Sequence, residues 1–86
     1  MAIYNTQVTV TTTAQVIVNL DNVTQYVTLH SLGSTYIGGS SAVTSSNGLH
    51  VSNGDTLNLT IPEGCQLWAV ANSGSHTLAV LTARVD

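Results

Sequence analysis

This 86-residue sequence predicts an all-β fold, a small antiparallel β-sandwich or a jelly-roll-like barrel of seven to nine short strands. Three observations lead there. Apolar and polar residues alternate with period two along most of the chain, and helical spacing is nowhere sustained. Valine and threonine dominate the alternating segments, and their β-branched side chains pack well on a pleated surface. Turn signals recur every 8–12 residues or so, the spacing of sandwiches and barrels.

The elements follow in order. Val8 and Val10 alternate with Gln7, Thr9 and Thr11 in the first strand. In the next, Val16, Val18 and Leu20 share one face, opposite Gln15, Ile17 and Asn19. Asp21-Asn22 is a turn into Val23 to His30, where Val27 and Leu29 oppose Tyr26, Thr28 and His30. Thr35-Tyr36-Ile37 is a short strand ending at Gly38-Gly39, and Ala42-Val43-Thr44 reads as another. The Ser-rich stretch from Gly39 to Gly48 is the most loop-like region. Asn47-Gly48 and Asn53-Gly54 are strong turn signals, with room for one very short strand between them. Leu57, Leu59 and Ile61 alternate with Thr56, Asn58 and Thr60, and Pro62-Glu63-Gly64 turns the chain. The only proline thus falls between strands, where its missing donor does no harm. Cys65 to Ala71 carries apolar residues on both faces, and His76 to Val85 sets Leu78 and Val80 against Ala79 and Leu81. Residues 1–86 form a single β domain, with residues 1–6 as a candidate N-terminal arm.

Charge is nearly absent. Arg84 is the one strong base, there is no lysine, and the acids are Asp21, Asp55, Glu63 and Asp86. Charged residues make up 6% of the chain, against about a quarter in an ordinary soluble domain. Charge normally guards β edges against pairing with other chains, so its absence predicts that neighbours cover them. A net charge of −3 with one arginine excludes nucleic acid as a partner, since that affinity comes from Lys and Arg on phosphates. The same deficit argues against an anionic membrane surface. Met1-Ala2-Ile3-Tyr4 has no basic region or long apolar run, so no signal peptide is expected, and no stretch approaches the ~20 apolar residues of a membrane span. A core this small has a modest margin, and the lone Cys65 closes the intrachain disulfide route, which leaves oligomerisation as its support.

No catalytic set is legible. Serine, histidine and aspartate co-occur without a G-x-S-x-G elbow. A two-carboxylate glycosidase would draw on Asp21, Asp55 and Glu63, of which the last two read as turn residues. His30, His50 and His76 lack metal-ligand spacing, so no metal or other cofactor is expected. Cys65 reads as a small buried hydrophobe at a strand start. Trp68 reads as core or interface, because so large a ring must be hidden.

Thr35-Tyr36-Ile37-Gly38-Gly39-Ser40, then Val43-Thr44, Ser46-Asn47-Gly48, Gly54-Asp55 and Leu67-Trp68-Ala69-Val70, resemble small virion proteins of tailed bacteriophages. The resemblance covers about residues 35–82. It implies a non-enzymatic structural protein, above all a capsid decoration protein that binds the major capsid protein and bridges its subunits. It also implies a homo-oligomer, with a trimer favoured, assembled in the bacterial cytoplasm and located on the virion surface. The alternatives are a carbohydrate- or receptor-binding module of a fibre or tail, and a tail or connector component. Met1, Ile3, Tyr4, Tyr36 and Arg84 are the candidate interface residues, and Arg84 is expected to hold a definite partner, a partner across an interface being one option.

Overall fold

The alternating segments become eight strands in the computed structural model, which describes residues 2–84. They are β1 (Ala2–Val10), β2 (Gln15–Val18), β3 (Gln25–Ser31), β4 (Thr35–Gly38), β5 (Leu49–Val51), β6 (Thr56–Ile61), β7 (Leu67–Ala71) and β8 (His76–Arg84). Two four-stranded sheets run β1-β8-β3-β6 and β2-β7-β4-β5, with every pairing antiparallel. Two facing sheets of four strands in this interleaved order are a jelly roll.

The core lies between the sheets. Val10, Val27, Leu29, Leu78 and Val80 of the first sheet meet Ile17, Ile37, Val51 and Ala69 of the second, all of them buried. Tyr26, Thr28 and His30 accordingly face outward from β3, as period two requires. The second strand departs from strict alternation. Its register with β7 shifts between Val16 and Val18, so Ile17 and Val18 are both buried and Leu20 is left exposed. A bulge rotates one residue out of phase, which simple alternation cannot anticipate.

Residues 39–48 form turns and no strand at Val43, contrary to expectation. The loop folds back over the outer face of the second sheet and buries Val43 there. It is held by Thr44 N–H donating to Asn47 Oδ1 at 2.7 Å and Gly48 N–H donating to the Thr44 carbonyl at 2.9 Å. Gly38 makes this closeness possible, since a Cβ there would sit 2.7 Å from Val43 Cβ. Asn53-Gly54 is a turn for a different reason: Gly54 has φ of 85°, the left-handed region that glycine enters freely.

The N-terminal arm expected at residues 1–6 is replaced, over its described part, by regular strand. Residues 2–6 pair in unbroken register with residues 80–84 of β8, while Met1 lies outside the described residues. The alternation of Ile3 and Asn5 with Tyr4 and Thr6 is itself strand-forming, and β8 supplies a partner along its whole length.

Candidate assembly surface

The two outer faces differ. That of the second sheet is covered in part by its own loop, with Val70 buried and Trp68 half-buried. That of the first sheet is open. The strand registers set its side chains in rows: Ile3, Ala83, Tyr26 and Thr60; then Asn5, Leu81, Thr28 and Asn58; then Gln7, Ala79, His30 and Thr56. None of these is Asp, Glu, Lys or Arg. Ile3, Tyr26 and Leu81 are large apolar side chains 67%, 50% and 47% exposed, and they lie together at one end of the face. Beside them the small Ala79 leaves a shallow depression of about 230 Å³ bounded by Asn5, Gln7, Thr28, His30 and Leu81. The polar residues here pair with one another: Thr28 Oγ1 donates to Asn58 Oδ1 at 2.7 Å, and His30 Nδ1 lies 3.2 Å from Thr56 Oγ1. Such a surface suits contact with another polar, uncharged surface through hydrogen bonds and trapped water.

β1 is the most open element of this sheet. Ile3, Tyr4, Asn5, Thr6 and Gln7 are all exposed, so both faces of the strand's first half meet solvent and only the β8 edge is paired. Tyr4 projects to the inner side, where its ring lies 4.5 Å from the Arg84 guanidinium carbon. Arg84 Nη1 is 3.0 Å from Asp21 Oδ2, and Arg84 Nε donates to Gln25 Oε1 at 3.3 Å. Gln25 is fully buried and spends its other end on the Asn19 carbonyl at 3.0 Å. Arg84 thus has the definite partner its sequence context demanded, but within its own chain: it ties the end of β8 to the β2–β3 turn.

The remaining candidate residues are dispersed. Ile3 belongs to the open outer face, whereas Tyr36 lies on the opposite side of the molecule, stacked on His50 with ring centroids 4.8 Å apart. Ile3 and Tyr36 therefore do not share one surface. Tyr26 and Leu81 were legible as outward-facing but not as neighbours of Ile3, because adjacency depends on the strand order. Cys65 is exposed, against the expectation of burial. β7 begins only at Leu67, and Cys65 N–H closes the Pro62 turn at 3.2 Å, which holds the thiol outside the sheet.

One polar cluster has the residue types of catalysis but not the access. Thr35 Oγ1 lies 2.8 Å from Ser31 Oγ and 2.5 Å from His76 Nε2, and Ser31 Oγ also donates to the Gly33 carbonyl. Ser31 and Thr35 are both fully buried, so no substrate reaches either hydroxyl. The cluster pins the β3–β4 turn to the start of β8. Among the described residues no group of three or more His, Cys, Asp or Glu is placed to hold a metal ion, and no helix is long and apolar enough to cross a membrane.

The fold recurs in solved structures. A chain from Bacillus endospore appendages, described as a novel family of disulfide-linked pili, superposes with a TM-score of 0.64 at 12% identity, covering 99% of this chain and 87% of that one. A de novo designed double-stranded β-helix, solved by solution NMR, superposes with a TM-score of 0.57 at 10% identity, covering 95% of this chain and 99% of the design. At these identities the likeness is one of fold. No protein-family profile and no curated protein sequence matches the chain.

Proposed function

We propose that this protein is a non-enzymatic structural component of a tailed-phage particle, a decoration protein that binds the outer shell and bridges subunits of the major capsid protein. The observation that carries the assembly role is the open face of the β1-β8-β3-β6 sheet, which is free of charge and presents Ile3, Tyr26 and Leu81. An apolar cluster ringed by Thr, Asn and Gln suits a protein interface, where charges are depleted at the centre and hydrogen bonds lie at the rim. The phage assignment rests on the sequence resemblance. Its mechanism is mechanical: a copy seated across two capsid subunits must be detached before they separate, and many such copies act together. The virion surface is then its location, the bacterial cytoplasm its place of assembly, and other copies of itself its second partner. Immunogold labelling of particles from the source culture tests the reading. Label on the shell exterior is expected; label confined to tails or fibres, or absent from particles, refutes it.

A further inference from the structure

The edge of β1 carries a more specific inference. At the end of β3, Ser31 N–H donates to the Asp55 carbonyl and Gly54 N–H donates to the Ser31 carbonyl, on the side where β6 lies. The next residue, Leu32, donates to Thr77 on the β8 side. Backbone groups of an antiparallel strand point alternately to its two neighbours. His30, Thr28 and Tyr26 are therefore hydrogen-bonded to Ala79, Leu81 and Ala83, which leaves Leu78, Val80 and Thr82 directed at β1. Their partners there are Val8, Thr6 and Tyr4. The N–H and C=O groups of Ile3, Asn5, Gln7 and Thr9 consequently point away from the sheet, along an edge with no partner among the described residues. It has no proline, charge or bulge, the devices that normally guard an edge.

We propose that this edge pairs with the same edge of a second copy, antiparallel about a twofold axis at Thr6, joining two sheets into one twice as wide. In that register Ile3 faces Thr9 and Asn5 faces Gln7 of the other copy, so every outward group from Ile3 to Thr9 is used, in about eight inter-chain hydrogen bonds. The side chains match too. Asn5 meets Gln7 amide to amide on the outer face, while Tyr4, 51% exposed, meets the half-buried Val8 on the inner face, an aromatic with a β-branched residue. Thr6 meets itself on the axis. A charged strand would repel its own copy in such an isologous contact; this one carries nothing to repel. β6 is a poorer mate for β1, being six residues against nine and bounded by Asp55, Pro62 and Glu63. The inference takes up the self-association proposed above and does not depend on the shell.

The test is oxidative crosslinking of Thr6→Cys in a Cys65→Ser background, with Tyr4→Cys as control. The twofold register puts the two position-6 side chains in a pair without mutual hydrogen bonds, within disulfide reach, and the two position-4 side chains far apart. A disulfide dimer from Thr6→Cys but not Tyr4→Cys, and a dimer mass by sedimentation at high micromolar concentration, are expected. Asn5→Pro removes only an outward N–H, so it should weaken dimerisation at least about tenfold with the monomer still folded by circular dichroism. A monomer, a trimer, or equal crosslinking at both positions overturns the pairing. Dimers that fail to bind shells would remove the particle assignment and leave the pairing standing.

Discussion

Arg84 and Asp21 form an ion pair with Nη1 and Oδ2 3.0 Å apart, and the same guanidinium holds the buried Gln25 through Nε. The two contacts differ in weight. The ion pair is partly exposed, and such pairs contribute about 0–1 kcal/mol. The bond to Gln25 satisfies a fully buried acceptor, and orphaning one costs about 1–3 kcal/mol.

Arg84→Met should therefore destabilise the fold by about 1–3 kcal/mol, whereas Asp21→Asn should cost no more than about 1 kcal/mol. Urea denaturation of the two variants measures the difference. Equal losses would mean that the ion pair, and not Gln25, is what Arg84 serves.

Gly38 and Gly39 are neighbours with opposite requirements. A Cβ at Gly38 falls 2.7 Å from Val43 Cβ and Cγ2, while one at Gly39 meets nothing within 4 Å. Gly38→Ala should cost about 1–3 kcal/mol by overpacking, and Gly39→Ala should be neutral or add a few tenths. Thermal melts read this directly, at about 4–8 °C per kcal/mol for a domain of this size.

Thr35→Val should leave Ser31 Oγ and His76 Nε2 without their shared partner. A loss of about 1–3 kcal/mol is expected, although the substitution conserves shape. A neutral melt would show that neither group depends on Thr35.

Cys65, held outside the sheet, should react with a thiol reagent in the native protein at a rate close to that after unfolding, within about tenfold. Protection until denaturant is added would mean that the thiol is covered, by another copy or by a different loop conformation.

Leu81→Lys places a charge beside Ile3 and Tyr26 on the open face, where the side chain is already 47% exposed. Stability should change by no more than about 1 kcal/mol, while, under the decoration role proposed above, binding to shells falls at least about tenfold. Unimpaired shell binding would move the interface elsewhere.

Much of the sheet architecture was legible because it is local. Val27 and Leu29 against Tyr26 and His30, or Leu78 and Val80 against Ala79 and Leu81, announce which face is buried from spacing alone. What escaped depends on contacts between distant residues. The bulge that buries Ile17 beside Val18 is set by β7, and Val43 is buried because a loop, not a strand, folds back onto Gly38. Arg84 could be expected to have a partner, since the chain has no other strong base, but Asp21 and Gln25 become candidates only when the start of β3 is laid beside the end of β8. The open face has the same history: Ile3, Ala83 and Tyr26 are one row in space and three separate regions of sequence.

The pairing of β1 with β8 also dictates the order of events during synthesis. Among the described strands, the first in chain order has the last as its sheet neighbour, with Ala2 opposite Arg84. Contacts so distant along the chain close late and slow the folding of all-β domains. Until β8 emerges from the ribosome, the uncharged β1 has both of its edges unpaired, the condition under which nascent strands associate wrongly. β1 is therefore carried unpartnered while the strands between it and β8 are made, and chaperone occupancy on ribosome-bound chains should persist until β8 has emerged.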